Sequence, residues 1–122
     1  MSLVRSKDTK PELLVRRLLH GLGYRYRLHR ADLPGKPDLV FSSRGRVVFV
    51  HGCFWHGHTC KLGRLPKSRL DYWTAKIHGN RERDRLVLRR LHRMSWKYLV
   101  VWECQLQDQD RLLRRLTRFL DG

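Results

Sequence analysis

VVFVHGCFWHGHTC, residues 47–60, joins a short apolar run to a polar loop. The first four residues are predicted to form a buried strand, because consecutive valine and phenylalanine side chains suit a sheet covered on both faces. The next ten residues include three histidines, two cysteines and two adjacent aromatics, a mixture that a hydrophobic core does not need. Functional loops commonly follow rigid strands in α/β enzymes. We therefore expect the chemistry of this chain at the end of this strand.

The composition indicates a polyanionic partner. The 122 residues suit one domain, 1–122, and 27 Lys and Arg against 11 Asp and Glu give a formal charge of +16. Nucleic acid is favoured, because phosphate contacts release counterions; an RNA-binding protein fits this charge too, and a merely soluble basic protein is the alternative. The odd number of cysteines and the lack of a secretory signal lead us to expect a reducing cytoplasm. No apolar run approaches the length of a membrane span, so no membrane partner is expected.

The first half of the chain is predicted to contain one helix and three strands. The helix begins within 8–12, where Thr9 and Glu12 have the spacing of a capping box, and it ends at the glycines of 21–23. A half-exposed strand over 24–28 follows, and then two strands over 38–41 and 47–50, joined by a hairpin turn over 42–46. The apolar face of the helix is predicted to consist of Leu14, Leu18 and Leu22.

The second half is predicted to contain two helices, over about 70–78 and 81–92, followed by a buried strand over 98–102. The last helix, over 108–120, is amphipathic and turns four leucines inward: Leu112, Leu113, Leu116 and Leu120. The order helix, three strands, loop, two helices, strand, helix is typical of an α/β fold in which helices flank a mixed sheet.

A set of soft metal ligands lies in the loop and beyond it. Cys53, His58 and Cys60 are close enough in sequence to share a cation, and Cys104 follows the last predicted strand. Three thiolates and one imidazole make a complete tetrahedral Zn²⁺ set, which would be structural because it leaves no open position. The alternative is three ordinary cysteines beside a chance histidine, since the spacing is not that of a common zinc finger.

A second group of polar residues lies at the ends of the two hairpin strands. Pro37-Asp38 lies at the start of one strand, and His51 follows the end of the other. Nucleases that use Mg²⁺ need a carboxylate fixed at a strand end. In the restriction-enzyme fold, Pro-Asp is followed by an acid-x-Lys motif on the next strand, and Phe49 and His51 occupy those positions here. Asp38 is equally compatible with a turn, because Pro-Asp is a frequent turn dipeptide.

Three further titratable residues have both an ordinary and a functional interpretation. Glu12 fits the capping box, and Asp84, in the charged run 81–85, fits a solvated, ion-paired helix face. His56 lies in a loop with neighbouring glycines, and histidine is a common proton-transfer residue, so function explains it better than core packing does.

Phe54 and Trp55 form a candidate wedge for DNA. Two adjacent aromatics in a loop cannot easily both face a core, and apolar wedges that part base steps are a known device of DNA-bending proteins. Trp73, in a basic predicted helix, is by itself better explained by core packing.

Together these motifs resemble the very-short-patch repair endonucleases, bacterial enzymes that nick DNA at a T:G mismatch. The resemblance covers nearly the whole chain and includes segments 7–12, 33–38 and 80–84. Its most specific part is the segment 51–56, His-Gly-Cys-Phe-Trp-His, combined with the Trp-Glu-Cys of 102–104. It implies a restriction-endonuclease-like mixed sheet flanked by helices, with a structural zinc site.

The resemblance also implies a role for each polar residue at the ends of the two hairpin strands, and for Glu12. Asp38 would ligate Mg²⁺ and bridge two ions, and the backbone carbonyl of Val50 and the His51 region would complete the site. Glu12 would belong to the same Mg²⁺ site and hold water bound to the metal.

The remaining candidates receive roles from the same resemblance. His56 would be the general base, oriented by Asp84. The Zn²⁺ ligands would be Cys53, His58, Cys60 and Cys104. The side chains that enter the duplex beside the mismatch would be Phe54, Trp55 and Trp73.

The implied reaction is Mg²⁺-dependent nicking of the T-bearing strand, 5′ to the T of a T:G mismatch, which initiates very-short-patch repair of deaminated 5-methylcytosine. The implied setting is the bacterial cytoplasm at the nucleoid, with repair proteins as partners, and cutting a single strand suits a monomer. Family members often carry a longer N-terminal arm than the few residues before Lys7, so we expect reduced arm contacts, with weaker DNA binding or a looser sequence requirement. Two rival functions are a zinc-stabilised mismatch-binding module that does not cut, and a restriction-type nuclease that cuts both strands.

Overall fold

The computed structural model describes residues 9–122, in which three helices flank a four-stranded sheet. Asp8 and the N-terminal arm lie outside these residues, so the expectations about them stay predictions. The helices are α1 (Lys10–Gly21), α2 (Leu70–Arg93) and α3 (Gln109–Asp121). The strands are β1 (Arg27–Leu28), β2 (Leu39–Phe41), β3 (Arg46–His51) and β4 (Lys97–Trp102). None of the described helices is long and apolar enough to cross a membrane.

The sheet is mixed, as predicted, and its strands lie in chain order. β1 and β2 are antiparallel, as are β2 and β3, whereas β3 and β4 are parallel. The long connection through α2 allows the parallel pairing, which a tight turn could not make. In the register of β3 with β4, His51 lies opposite Trp102. Asp38, just before β2, therefore lies at the same end of the sheet, which we call the His51 end.

Two hydrophobic cores cover the two faces of the sheet. On one face, α1 and α3 contribute Val15, Leu19, Leu112, Leu116 and Leu120, which pack against Val48 and Val101. On the other face, Leu91 of α2 packs with Val47 and Phe49. The alternation of β3 side chains between the two cores explains its continuous apolar sequence.

The inward face of α1 differs from the prediction. Val15 and Leu19 are fully buried, whereas Leu14 and Leu18 are only partly buried and Leu22 is 49% exposed. Leu22 follows the helix as its C-cap residue, so it no longer continues the helical face. The face is rotated by about one residue from the predicted leucine stripe, and this rotation buries Glu12 together with Val15.

The predicted break between two helices does not occur, because α2 is a single helix of 24 residues that passes through Gly79. A glycine inside a helix costs about 1 kcal/mol relative to alanine. Ile77 and Leu91, on either side of it, are buried. Apolar burial of such side chains contributes roughly 1.5–3 kcal/mol each, which outweighs the glycine penalty.

Three smaller predictions also needed correction. β4 was expected to be buried, but only Val101 is fully buried, because the strand lies at an edge of the sheet. The strand predicted over 24–28 is reduced to the two residues of β1, although Tyr24 and Tyr26 pack on Phe41 at ring distances of 6.4 and 5.9 Å. In α3, Leu113 is only partly buried.

Candidate active site and metal-ligand clusters

His56 and Asp84 form a hydrogen-bonded pair at the His51 end. The Nδ1 atom of His56 lies 2.6 Å from Oδ2 of Asp84, and both side chains are a little over one-quarter exposed. Asn80, one turn before Asp84 on α2, donates from Nδ2 to the carbonyl of Trp55 at 2.8 Å. Two contacts from one helix therefore fix the loop that carries His56. Among the described residues Asp84 pairs with this histidine and not with the arginines of 81–85, which favours its functional interpretation.

His51 packs directly on this pair. Its ring is stacked on that of His56, with centroids 3.7 Å apart and an interplanar angle of 5°. Burial lowers the pKa of His51 to about 4, and the neighbouring His56 adds to the effect. His51 is therefore neutral at physiological pH. Within residues 9–122 its Nδ1 has no hydrogen-bond partner.

A second cluster brings together Glu12, His29 and Asp38, whose ligand atoms all lie within 4.8 Å of one another. Glu12 is only 1% exposed, and its Oε2 lies 2.7 Å from Nε2 of His29. Arg16 forms an ion pair with the same carboxylate. The Thr9 hydroxyl accepts from the Glu12 amide, so the cap exists, but the Glu12 carboxylate is directed into the cluster.

Asp38 is held at the start of β2 by the neighbouring strand. Its Oδ2 accepts a hydrogen bond from the Val50 amide at 2.7 Å. Burial raises the pKa of Asp38 to about 7; the Val50 amide opposes this shift and the negative charge of Glu12 adds to it. The buried Glu12 and the partly buried Asp38 repel each other when both are ionised, and a hard cation such as Mg²⁺ would relieve this repulsion because such cations prefer oxygen ligands. The geometry fits the metal role implied for Asp38 and Glu12.

One cleft joins the two clusters. It has a volume of about 270 Å³ and lies between the turn before β2, the end of β3 and helix α2. Gly35 allows the turn to approach α2, since a Cβ there would lie 2.4 Å from Cγ1 of Val87. The polar side chains that line the cleft are His29, Lys36, Asp38, His51, His56 and Asp84.

The sequence did not indicate three residues of this site. His29 and Arg16 belonged to no motif, and Lys36 lay in segment 33–38 of the resemblance without being assigned a role. His29 and Lys36 both have positive φ angles, of 49°. An unusual backbone angle of this kind is visible only in a structure, and it commonly marks functional positions.

The cysteine cluster forms next to the active-site loop. The ligand atoms of Cys53, His58, Cys60 and Cys104 all lie within 4.8 Å of one another, so these residues could hold a metal ion. The Cys104 amide donates to Sγ of Cys53 at 3.4 Å. The hydrogen bond from His58 lowers the pKa of Cys60 to about 6, whereas burial raises that of Cys53 to about 12. The His58 ring stacks on Trp102 at 4.3 Å, which ties the cluster to the end of β4.

The three aromatic candidates form one cluster. The ring centroids of Phe54 and Trp55 are 5.0 Å apart, and those rings lie 5.2 and 5.8 Å from the ring of Trp73. All three side chains are partly exposed. The ordinary interpretation placed Trp73 in a hydrophobic core. Trp73 instead packs with the other two candidates and belongs to neither of the two cores.

Comparison with known proteins decides the family. A family model described as DNA mismatch endonuclease Vsr matches residues 1–62. The type II nicking enzyme V.XorIIP of Xanthomonas oryzae is 59% identical over 99% of this chain and 89% of its own length. The DNA mismatch endonuclease Vsr of Escherichia coli is 42% identical over 92% of this chain and 72% of its own length. The chain belongs to the Vsr family of DNA mismatch endonucleases.

A solved structure supports the fold of this Vsr-family chain. The catalytic domain of the homing endonuclease I-Bth0305I matches with a TM-score of 0.63, covering 92% of this chain and 94% of that domain at 17% identity. The predicted restriction-endonuclease-like fold is thus confirmed. Family membership makes the protein a DNA endonuclease, and it confirms DNA as the polyanionic partner.

Proposed function

We propose that this protein nicks duplex DNA on the T-bearing strand, 5′ to the T of a T:G mismatch, by Mg²⁺-dependent phosphodiester hydrolysis. One observation carries the proposal: the His56–Asp84 pair and the Asp38 carboxylate line the same cleft, with Glu12 beside Asp38. A base and a cation site that share a cleft are what hydrolysis of a phosphodiester requires. The names of the relatives, mismatch endonuclease and nicking enzyme, favour one-strand cleavage at a mismatch.

His56 is the general base in this proposal. Asp84 occupies Nδ1, so Nε2 is the ring nitrogen left to accept a proton from the attacking water. The Asp84 carboxylate holds the ring orientation and stabilises the imidazolium that forms. Stacking on the neutral His51 ring restrains the base further without adding charge.

Asp38 and Glu12 would hold Mg²⁺ in this site, together with the Val50 backbone carbonyl. When bound, Mg²⁺ supplies activation of the nucleophile and stabilisation of the leaving oxygen, a task that two ions can share. The protein's own part is positioning. The Val50 amide holds Asp38, and His29 and Arg16 hold Glu12.

The cysteine cluster would hold Zn²⁺ as a structural ion. Its donors are three thiols and one imidazole, the soft set that Zn²⁺ prefers, and four ligands leave no position for substrate. The ion would join the active-site loop, through Cys53, to the segment after β4, through Cys104.

The aromatic cluster explains mismatch selectivity in the proposal. Phe54 and Trp55 directly precede His56 in the chain, so a base step that they open lies beside the cleft. A T:G wobble pair stacks less well than a matched pair, so opening that step requires less free energy. We further propose that residues 1–122 act as one domain and as a monomer, since a nick needs a single active site.

The test is strand-resolved cleavage of labelled duplexes with and without Mg²⁺. We expect a Mg²⁺-dependent nick beside the T of a T:G duplex and little cleavage of the matched T:A duplex. Cleavage of both strands of matched DNA would favour a restriction-type nuclease. Mismatch binding without cleavage in any divalent metal would favour a binding module.

The double variant Phe54→Ala, Trp55→Ala tests the wedge. We expect it to lose mismatch preference and duplex affinity while the unfolding transition stays cooperative. The control is Tyr98→Ala, which removes an exposed aromatic of β4 that lies opposite Val47, away from the aromatic cluster. Unchanged mismatch affinity in the double variant would remove these side chains from recognition.

A further inference from the structure

Helix α3 carries four arginines on its solvent side. These side chains line a shallow groove of about 290 Å³, and we call them the arginine ridge: Arg111, Arg114, Arg115 and Arg118. The opposite side of the helix packs into the core through Leu112, Leu116 and Leu120. The ridge lies outside the active-site cleft, and the proposed chemistry does not use it.

Helix stability does not explain the ridge. The spacings of three and four residues put like charges next to one another, which destabilises a helix. Arg111 lies in the first turn, where the helix dipole disfavours a cation. Among residues 9–122, no carboxylate lies within ion-pair distance of these guanidinium groups; Asp108 instead accepts from the Arg111 backbone amide. Only the guanidinium of Arg115 has a hydrogen-bond partner in that part of the chain, Gln105.

The ridge is continuous with the His51 end of the sheet. A second groove, of about 600 Å³, shares Arg111 and Arg115 with the ridge and reaches Cys104. Two residues before Cys104, the ring of Trp102 lies 6.3 Å from that of His56. The Oε1 atom of Gln105 accepts hydrogen bonds from the Trp102 amide at 3.0 Å and from the Arg115 guanidinium at 2.7 Å, so a chain of contacts connects His56 with the ridge.

We propose that the arginine ridge binds the phosphate backbone of the duplex that flanks the nicked site. Guanidinium groups suit this ligand because their fork of donors matches phosphate oxygens. A protein partner is less suitable, since the exposed side of α3 offers no large apolar anchor of the kind that protein interfaces use. DNA is already the substrate, so the ridge extends an existing interface.

The test compares two triple variants that remove the same formal charge. The ridge variant is Arg111→Gln, Arg114→Gln, Arg118→Gln; Arg115 is left in place because it bonds to Gln105. The control is Arg89→Gln, Arg90→Gln, Arg93→Gln, which changes three exposed arginines in the last turns of α2, near the opposite end of the sheet. Binding is measured without added Mg²⁺ over a range of salt, on a short duplex that covers the mismatch and on a longer one.

For the longer duplex, the slope of log affinity against log salt should fall by about 2–3 in the ridge variant, close to 0.9 for each lost phosphate contact. The control variant should lose less than about one such contact. The short duplex should bind both variants alike, and the ridge variant should unfold at the parent's temperature or above it. Equal slopes for the two variants on the longer duplex would overturn the proposal. Equal losses on both duplexes would also overturn it, because the proposal places the contacts on the flank.

The result of this binding test can be distinguished from the result of the cleavage test of the proposed reaction. Its readout is binding alone, so a parent protein that bound DNA without nicking would count against the reaction and still test the ridge. If the ridge variant bound DNA normally but lost binding to an acidic protein, the ridge would be a protein-docking surface and the DNA assignment would be wrong.

Discussion

Two ligand clusters meet at the His51 end of the sheet, and they differ in chemistry and in surroundings. The cysteine cluster offers three thiols and one imidazole from Cys53, His58, Cys60 and Cys104. The carboxylate cluster offers two acids and one imidazole, and Asp38 and His29 face a cleft of about 270 Å³. The first has every ligand that a tetrahedral ion needs, whereas the second leaves room for substrate.

The two clusters also differ in their effect on the free energy of unfolding. In the cysteine cluster, a bound metal would add to the folding free energy. In the carboxylate cluster, burial raises the pKa of Asp38 to about 7, so ionising this group above neutral pH opposes folding. A metal ion in the cysteine cluster would therefore stabilise the fold, whereas the ionised Asp38 carboxylate destabilises the fold when no cation is bound.

The largest effect should come from Asp38→Asn. The change removes a negative ligand from the cleft, so nicking of a T:G duplex should fall by at least about a thousandfold, since cation stabilisation of a transition state is worth several kcal/mol. Duplex binding should stay close to that of the parent. Single-turnover cleavage and fluorescence anisotropy measure the two properties.

The same variant should stabilise the protein when no Mg²⁺ is present. Because the pKa of Asp38 is raised above its unfolded value, its contribution to stability is full at low pH and is lost as pH rises through about 7. Asp38→Asn removes that loss, so at pH 8 we expect a gain of about 1–2 kcal/mol in the free energy of unfolding. Asp32→Asn, at an exposed position, is the control. Retained nicking would exclude Asp38 from the cation site. Lower stability of the variant at pH 8 would show that the ionised Asp38 carboxylate does not destabilise the fold.

Cys104→Ser tests the other cluster and should have the opposite effect on stability. We expect loss of bound zinc and a destabilisation of about 3–5 kcal/mol, typical of losing a structural metal. Elemental analysis of the purified protein and denaturant unfolding measure these outcomes. Thr59→Ser, an exposed change in the same loop, should keep both metal and stability. A parent protein without metal, or a variant with parental stability, would refute a structural ion.

Local chemistry explains why the cysteine cluster could be predicted and the carboxylate cluster only in part. Three of the four soft ligands lie within eight residues, and their type alone indicates a metal. The Pro-Asp pattern made Asp38 a candidate that a turn explained equally well, and Glu12 received a metal role only from the family resemblance, because the capping box explained it locally. His29 had no signal, since its position depends on a positive φ angle and on the packing of α1 against the sheet.

Prediction of the fold also succeeded where local sequence patterns decide the structure and failed where tertiary packing decides it. β3 and α3 were predicted well because their periodicity is strong and matches their burial. The break at Gly79 was wrong because a local penalty competes with side chains buried elsewhere along α2, and sequence spacing does not show that burial. Edge position likewise decides the exposure of β4, and strand order is a property of the whole sheet.

Asp84→Asn should have an intermediate effect. The amide cannot stabilise the imidazolium of His56 as a carboxylate does, so nicking should fall by about a hundredfold while DNA binding is unchanged. A positioning and charge role should also alter the pH profile of the cleavage rate, which a purely structural role would not. Asp71→Asn, in the exposed first turn of the same helix, is the control. Parental rates across the pH profile would show that Asp84 does not orient the base.

The smallest effect should come from a change at His29. This change tests whether His29 only positions Glu12 or takes part in the reaction directly. Nε2 of His29 lies 2.7 Å from Glu12 Oε2, so His29→Ala should leave Glu12 less well positioned for Mg²⁺. We expect the Mg²⁺ concentration for half-maximal nicking to rise by about tenfold, the loss of one charge-assisted hydrogen bond, with little change in rate at saturating Mg²⁺. His29→Gln, whose amide can donate near the same point, should restore most of the affinity. If the rate at saturating Mg²⁺ fell as far as in Asp38→Asn and glutamine gave no rescue, His29 would act in the reaction itself, and the carboxylate cluster would need three direct participants instead of two.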